Sequence, residues 1–224
     1  GPKSGYGYDV VAAMTGYMEK DKLGLHLPKP RDVIIAFPAT SCGNNGYVEI
    51  RTRLLNGEFE ERPEFRQRYK GRFSLTDKIP GIDIAIGEEL LKESDIHLPQ
   101  MASIAKELYE SERTGVVGIN NTGYGLMNLN RVWHDVEYWI TDPLPEPPIF
   151  RLLQEETGYD DYKMYRLVHM GQSFFAVGNP KYTDIILSHV PGARVVGEVR
   201  QGIGEPMTYL VRNGREVKFV GYGL

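Results

Sequence analysis

The chain has a single cysteine, Cys42, among its 224 residues. One thiol excludes an intramolecular disulfide and suits a reducing compartment, which predicts a cytoplasmic protein. No apolar run approaches the roughly 20 residues that a membrane-spanning helix needs, and no secretory leader is visible. No membrane partner is therefore expected. Positive charge is not in excess: 26 Lys and Arg stand against 30 Asp and Glu, for a net charge of −4. That excludes a global cationic field, so no nucleic-acid partner is expected. The local cluster of Arg51, Arg53, Arg62, Arg66, Arg68, Lys70 and Arg72 is interleaved with Glu58, Glu60, Glu61 and Glu64. It reads as a solvated surface of mixed sign.

Several catalytic signatures are missing too. There is no GxxxxGK[ST] phosphate loop. Gly5/Gly7, Gly123/Gly125 and Gly202/Gly204 each form GxG, and none is completed to GxGxxG. The absence of GxSxG argues against an α/β-hydrolase. Five histidines occur, without HExxH or a Cys/His cluster, so no metal site is expected. Cys42 reads as a small residue in a tight loop rather than as a nucleophile.

What remains is ordinary globular composition, 41% apolar and 25% charged, enough for one large domain or a domain with an appendage. Gly1-Pro2 resembles a protease-cleavage scar, and the natural protein is expected to begin elsewhere. Apolar patterning predicts strands at 8–18, 32–37, 116–119, 134–141, 172–177, 194–199, 207–211 and 216–220, the last two joined by an Asn213-Gly214 hairpin turn. It predicts helices at 47–55, 87–93, 95–112, 148–156, 160–168 and 181–189, with a further helical start after Gly125. Residues 56–86 read as a long excursion with little regular structure. In the 95–112 helix the expected buried stripe is Leu98, Met101, Ala102, Ala105, Leu108 and Tyr109. Mixed helices and strands with a terminal hairpin predict an α+β fold, a mixed sheet packed with helices rather than a doubly wound one.

A strand, a small polar loop and a helix start occur twice. The first loop carries Asn44, Asn45 and Gly46; the second carries Asn120, Asn121, Thr122, Gly123 and Gly125. Asn offers donor and acceptor, and Gly admits a close backbone, so both loops are candidates for binding a phosphate-bearing substrate. Helix capping and turn chemistry account for the same residues, and sequence alone does not bring the two loops together. Arg166 and His169 are secondary candidates: the first against phosphate or against Asp160 or Asp161, the second at a helix-to-strand junction. No catalytic residue can be named.

From Tyr8 onward a series of short segments runs in order. Tyr8-Asp-Val-Val-Ala-Ala precedes Gly16-Tyr-Met-Glu-Lys; Asn45-Gly-Tyr precedes Ile50-Arg; then come Gly87-Glu-Glu-Leu-Leu and Asn120-Asn-Thr-Gly-Tyr-Gly-Leu. Pro147-Pro-Ile-Phe, Leu153-Gln-Glu, Met164-Tyr-Arg, Met170-Gly and Val196-Gly-Glu-Val complete it. The series resembles the C-terminal part of the aminoimidazole ribonucleotide synthetases (phosphoribosylformylglycinamidine cyclo-ligases), with their SNGY, GEELL, TGGG, PPIF, MYR and IGEV segments. The resemblance implies a PurM-like C-terminal domain over 20–224, with 1–19 as a linker and the last strand of a missing N-terminal domain. It implies ATP-dependent, Mg²⁺-assisted ring closure of formylglycinamidine ribonucleotide, in purine biosynthesis. ATP and Mg²⁺ would belong to the complete enzyme, none tightly bound to this chain alone. The implied partners are an N-terminal ATP-binding domain, on the same or a separate chain, a phosphoribosyl substrate and a second copy in a homodimer. Departures are local. Gly43-Asn44 stands where the pattern has His-Ser, Tyr124 interrupts TGGG, and His169 replaces Asn in FNMG. The PPIF and MYR series favours the cyclo-ligase over relatives such as selenophosphate synthetase or thiamine-monophosphate kinase. The departures favour, as a further alternative, a non-catalytic binding or assembly module that kept the fold.

Overall fold

The structure, a computed structural model, describes residues 13, 15–17, 26–43, 45–112, 115–131 and 135–221. Its centre is β1 (Val33–Pro38), whose sequence VIIAFP has no charged side chain and is buried on both faces. A strand of that kind is stable only inside a sheet covered on both sides. β1 pairs antiparallel with β4 (Gln172–Gly178) on one flank and with β5 (Arg194–Gln201) on the other. β2 (Val117–Asn120) adds outside β4; β3 (Val136–Ile140), β6 (Met207–Arg212) and β7 (Arg215–Val220) extend the sheet beyond β5. The order is β2-β4-β1-β5-β3-β6-β7, and β3–β6 is its one parallel pair.

Alternation along β1 divides the core in two. Ile34 and Ala36 face the larger cluster, with α1 (Tyr47–Leu54), α3 (Ile86–Leu91), α5 (Pro148–Thr157) and α6 (Asp161–Leu167) supplying Ile50, Leu90, Phe150 and Met164. Ile35 and Phe37 face a smaller cluster built with α4 (Leu98–Glu112) and α7 (Thr183–His189) through Ile104, Leu108 and Ile186. Period-two side chains on a doubly covered strand require this division. The described residues thus form an α+β fold with a mixed sheet.

Several sequence expectations change. The buried stripe of α4 is Ile104 and Leu108 with Met101 partly buried; Leu98, Ala102 and Ala105 are exposed. The reason is tertiary: Ile104 and Leu108 are the positions that pack into the smaller cluster with β1, β4 and α7, while Met101 reaches Gly118 of β2. Tyr109 lies outside the described side chains. Residues 95–97 are not helical; they form an extended link that ends at Leu98. The segment after Gly125 is a 3-10 helix, Gly125–Arg131, and Asn120 closes β2 instead of opening the loop. The 56–86 excursion carries one short helix, α2 (Pro63–Arg66), and two isolated bridges, Leu55–Phe73 and Lys78–Ala85. The strand expected at 8–18 falls almost wholly outside the described residues; 13 and 15–17 are exposed and in no regular element. His134, expected in β3, also lies outside them.

Gly197 lies where β5 passes β3. A Cβ there would stand 1.9 Å from the Trp139 carbonyl oxygen, with no flexible side-chain end to give way. Gly197→Ala is expected to destabilise the protein by about 2 kcal/mol or more, as forced overpacking does. A urea-denaturation midpoint equal to that of the parent would contradict this.

Candidate functional site

β4 runs antiparallel to both of its neighbours. The C-terminal ends of β1 and β2 therefore both lie beside its start: Pro38 opposite Gln172, and Asn120 opposite Phe174. Each strand there gives way to its small polar loop, and the loops meet. Asn45 Nδ2 donates to the Thr122 carbonyl at 2.7 Å, joining segments 77 residues apart in sequence.

Between them is a cavity of about 380 Å³. The first loop contributes Gly43 and Asn45, and the second Asn120, Asn121, Thr122 and Gly123. Ser94 and Asp95 come from the α3–α4 link, and His169 and Ser173 from the approach to β4 and β4 itself. The loops are ordered from behind. Asn121 N–H donates to the Ser173 carbonyl at 3.0 Å, and its Nδ2 to the Gln172 carbonyl at 2.7 Å. Asn128, fully buried, turns its Nδ2 toward the carbonyls of Gly123 at 2.9 Å and Gly125 at 2.6 Å. A buried amide that gathers loop carbonyls in this way holds a turn that has no ladder of its own. Asp95 accepts from Thr40 N–H at 3.0 Å and Thr40 Oγ1 at 2.5 Å, tying the α3–α4 link to the first loop.

His169 is buried and neutral. Its Nδ1 accepts from Gly171 N–H at 3.1 Å, so the ring proton sits on Nε2 and is donated to the Ser41 carbonyl at 3.1 Å. Burial pulls its pKa down to about 4, against smaller opposing pulls from Asp95 and from backbone hydrogen bonds. His169 also lies against Gly43. A Cβ on Gly43 would lie 3.5 Å from His169 Nε2. That is ordinary contact, so the ring and the first loop pack directly against each other.

Not every sequence candidate reaches the cavity. Gly46 and Gly125 have φ of 72° and 54°, and a Cβ at either would strike α6 or its end: Val168 Cγ1 at 2.4 Å and the Tyr165 carbonyl oxygen at 1.8 Å. Close packing explains both glycines. Arg166 is exposed on α6 and does not line the cavity. Asp160 instead caps α6 through Lys163 N–H, and Asp161 pairs with Arg212 at 2.9 Å. Tyr124 has φ 73° and also stands outside the lining, so it does not crowd the cavity. Asn44 lies outside the described residues. Sequence reasoning did not single out Ser94, Asp95, Asn128 or Ser173. Asp95 opens the helix expected at 95–112, Ser94 falls between two expected helices, and Ser173 sits inside a strand.

Among the described residues the lining has one carboxylate, Asp95, and neither Lys nor Arg. A phosphate placed here would rely on backbone N–H groups, amides and hydroxyls, and would need charge compensation from elsewhere. Among the described residues no group of three or more His, Cys, Asp or Glu could hold a metal ion. No helix among them is long and apolar enough to cross a membrane.

No family model matches the chain. Among curated proteins, the phosphoribosylformylglycinamidine cyclo-ligase of Methanopyrus kandleri is 27% identical over 222 residues, 97% of this chain and 57% of that protein. The one from Methanothermobacter thermautotrophicus is 32% identical over 201 residues, 88% of this chain and 52% of that protein. The chain spans about half the length of the curated relatives it matches, and the match is to their C-terminal part. Among solved structures, the hydrogenase maturation protein HypE in complex with ATP aligns with 86% of this chain and 51% of its own, at TM-score 0.49 and 14% identity. T. maritima PurL complexed with FGAR aligns with 88% of this chain and 29% of its own, at TM-score 0.45 and 17% identity.

Two predictions follow from this geometry. A Cβ at Gly123 meets nothing within 4 Å and its φ is not positive, although Gly123 lines the cavity. Gly123→Ala is expected to leave the melting temperature within about 2 °C of the parent while weakening ligand binding; a large fall in melting temperature would contradict it. His169 is protonated in the unfolded chain below about 6.5 and in the folded chain only below about 4. Its contribution to stability is therefore complete above pH 6.5 and is lost as pH falls toward 4, by about 3 kcal/mol. The stability gap between the parent and His169→Gln, read by urea denaturation, should narrow across that window; a constant gap would refute the assignment.

Proposed function

We propose that this chain, a homologue of the C-terminal part of the phosphoribosylformylglycinamidine cyclo-ligases, is the substrate-side half of an ATP-dependent ring-closing ligase. Its substrate in this reading is formylglycinamidine ribonucleotide, and its product is aminoimidazole ribonucleotide. The observation that carries the reading is the meeting of two Asn/Gly loops around one polar cavity, joined at Asn45 and Thr122. Amides, hydroxyls and backbone N–H groups can orient a polar substrate without a strong field of their own, and orientation is a large part of what such a cyclisation requires.

The nucleoside triphosphate and Mg²⁺ would come with the other half of the protein. The described residues do not by themselves suit a resident Mg²⁺: the cavity has one carboxylate, already engaged by Thr40. When bound, ATP would activate the formyl oxygen as a leaving group. The part left to this chain is to hold the formylglycinamidine so that its nitrogen faces the formyl carbon, and to keep the surrounding loops rigid. His169, at the cavity wall, serves the second purpose, because both ring nitrogens are taken by backbone groups.

Mixing this chain with the N-terminal half of a cyclo-ligase relative, formylglycinamidine ribonucleotide, ATP and Mg²⁺ is expected to yield ADP and aminoimidazole ribonucleotide. Asn45→Ala should lower that rate at least about tenfold by releasing the loop–loop bond. The chain alone should bind ATP poorly in calorimetry. No turnover, together with no substrate-dependent thermal shift, would overturn the ligase reading in favour of a binding or assembly module.

A further inference from the structure

Beside the polar cavity is a second recess of about 280 Å³, lined by Ile96, His97, Leu98, Met101 and Phe174; it shares Asp95 and Asn120 with the first. Ser173 lines the polar cavity and His97 lines the recess, and the two side chains are in contact: Ser173 Oγ and His97 Nε2 are 2.7 Å apart. The Ser173 hydroxyl has two other acceptors within reach, the carbonyls of Phe37 at 3.3 Å and Pro38 at 3.4 Å. Both are longer than the usual O–H···O range, and the His97 contact is the short one, as it would be with the hydroxyl donating to Nε2. The imidazole then carries its own proton on Nδ1. The ring is held in place by Phe37, edge-on with centroids 5.4 Å apart, and by Phe174 at 5.4 Å.

We propose that Ser173 and His97 form the proton-accepting pair of this site, Ser173 taking a proton from a substrate nitrogen in the polar cavity and passing its own to His97 Nε2. The inference rests on the ring-closure reading for the identity of that nitrogen. The step balances. The nitrogen's electron pair forms the new C–N bond with the formyl carbon. The formyl oxygen, activated by phosphoryl transfer from a nucleoside triphosphate, leaves as phosphate with the C–O electron pair. The nitrogen's proton replaces the one that Ser173 gives up, and His97 becomes the imidazolium.

The surroundings suit this role. Burial lowers the His97 pKa below the usual histidine value, against a smaller upward pull from Asp95 on the same link. His169, the other titratable group that couples to it, is neutral. β1 presents Phe37 to the ring, β4 presents Ser173 and Phe174, and α4 presents Met101 to the same recess; none of these is charged. The imidazole is therefore unprotonated and able to accept at neutral pH.

The test begins on the chain by itself. ¹⁵N-edited NMR of the histidine rings should show His97 as the Nδ1–H tautomer, with its titration below pH 6.5 and altered in Ser173→Ala. An Nε2–H tautomer for His97 in the parent chain overturns the proposal, whatever reaction the protein catalyses. In the reconstituted ligase, Ser173→Ala and His97→Gln should each lower kcat about 100-fold with little change in KM. His97→Gln should also abolish the acidic limb of the kcat/KM profile. A bond that merely pins the 94–98 link to β4 would lower the melting temperature and leave that limb in place, which overturns the proposal. Should His97→Gln fail to fold, the kcat and melting-temperature readouts of Ser173→Ala decide between the two roles. Failure of the parent mixture to turn over would count against the ring-closure reading and leave the tautomer result to decide the pair.

Discussion

The burial of β1 on both faces and both edges is the constraint on which the rest of the structure depends. A strand reading VIIAFP has no side that water can face. Satisfying it takes β4 and β5 as edge partners, α4 and α7 over one face, and the α1, α3, α5 and α6 layer over the other. β4, drawn to β1, is shared with β2. Because β4 is antiparallel to both, the two strands end side by side and release their loops into the same space. The candidate site is thus a consequence of strand pairing, and the Asn45–Thr122 bond joins loops that the sheet has already brought close.

Around that space the protein uses neutral hydrogen-bonding groups more than charge. Asn121 ties the second loop to the Gln172 carbonyl of β4, Asn128 gathers that loop's own carbonyls, His169 fixes the first through Ser41, and Asp95, the one carboxylate among the described lining residues, is engaged with Thr40. Such a site can position a ligand rigidly, because buried amides and a neutral imidazole do not reorganise as charge moves. It supplies little compensation for a phosphate. That division is consistent with a chain spanning about half the length of its curated relatives, with the anionic chemistry assigned to the other half in the proposed reading.

Gly43 and His169 meet at the wall of the cavity. A Cβ at 43 would stand in ordinary contact with the ring, 3.5 Å from Nε2, so the space there would admit a small side chain. The backbone is what favours glycine at this position, with φ of 59°.

The sequence by itself determined the local elements whose periodicity is strong: β1, α1, α5, α6 and the β6–β7 hairpin all lie within a few residues of their expected places. It also determined that two Asn/Gly loops each follow a strand. It did not determine that α4 buries Ile104 and exposes Leu98, because an amphipathic pattern states which faces are available and packing decides which is used. Only the tertiary structure decided that the loops share one cavity, that Gly46 and Gly125 pack against α6 and its end, and that Ser173, inside a strand, meets His97 from a link 76 residues away. The reason is the same in each case: strand and helix signals are local in the chain, whereas a site is made by contacts between segments that only the sheet order brings together.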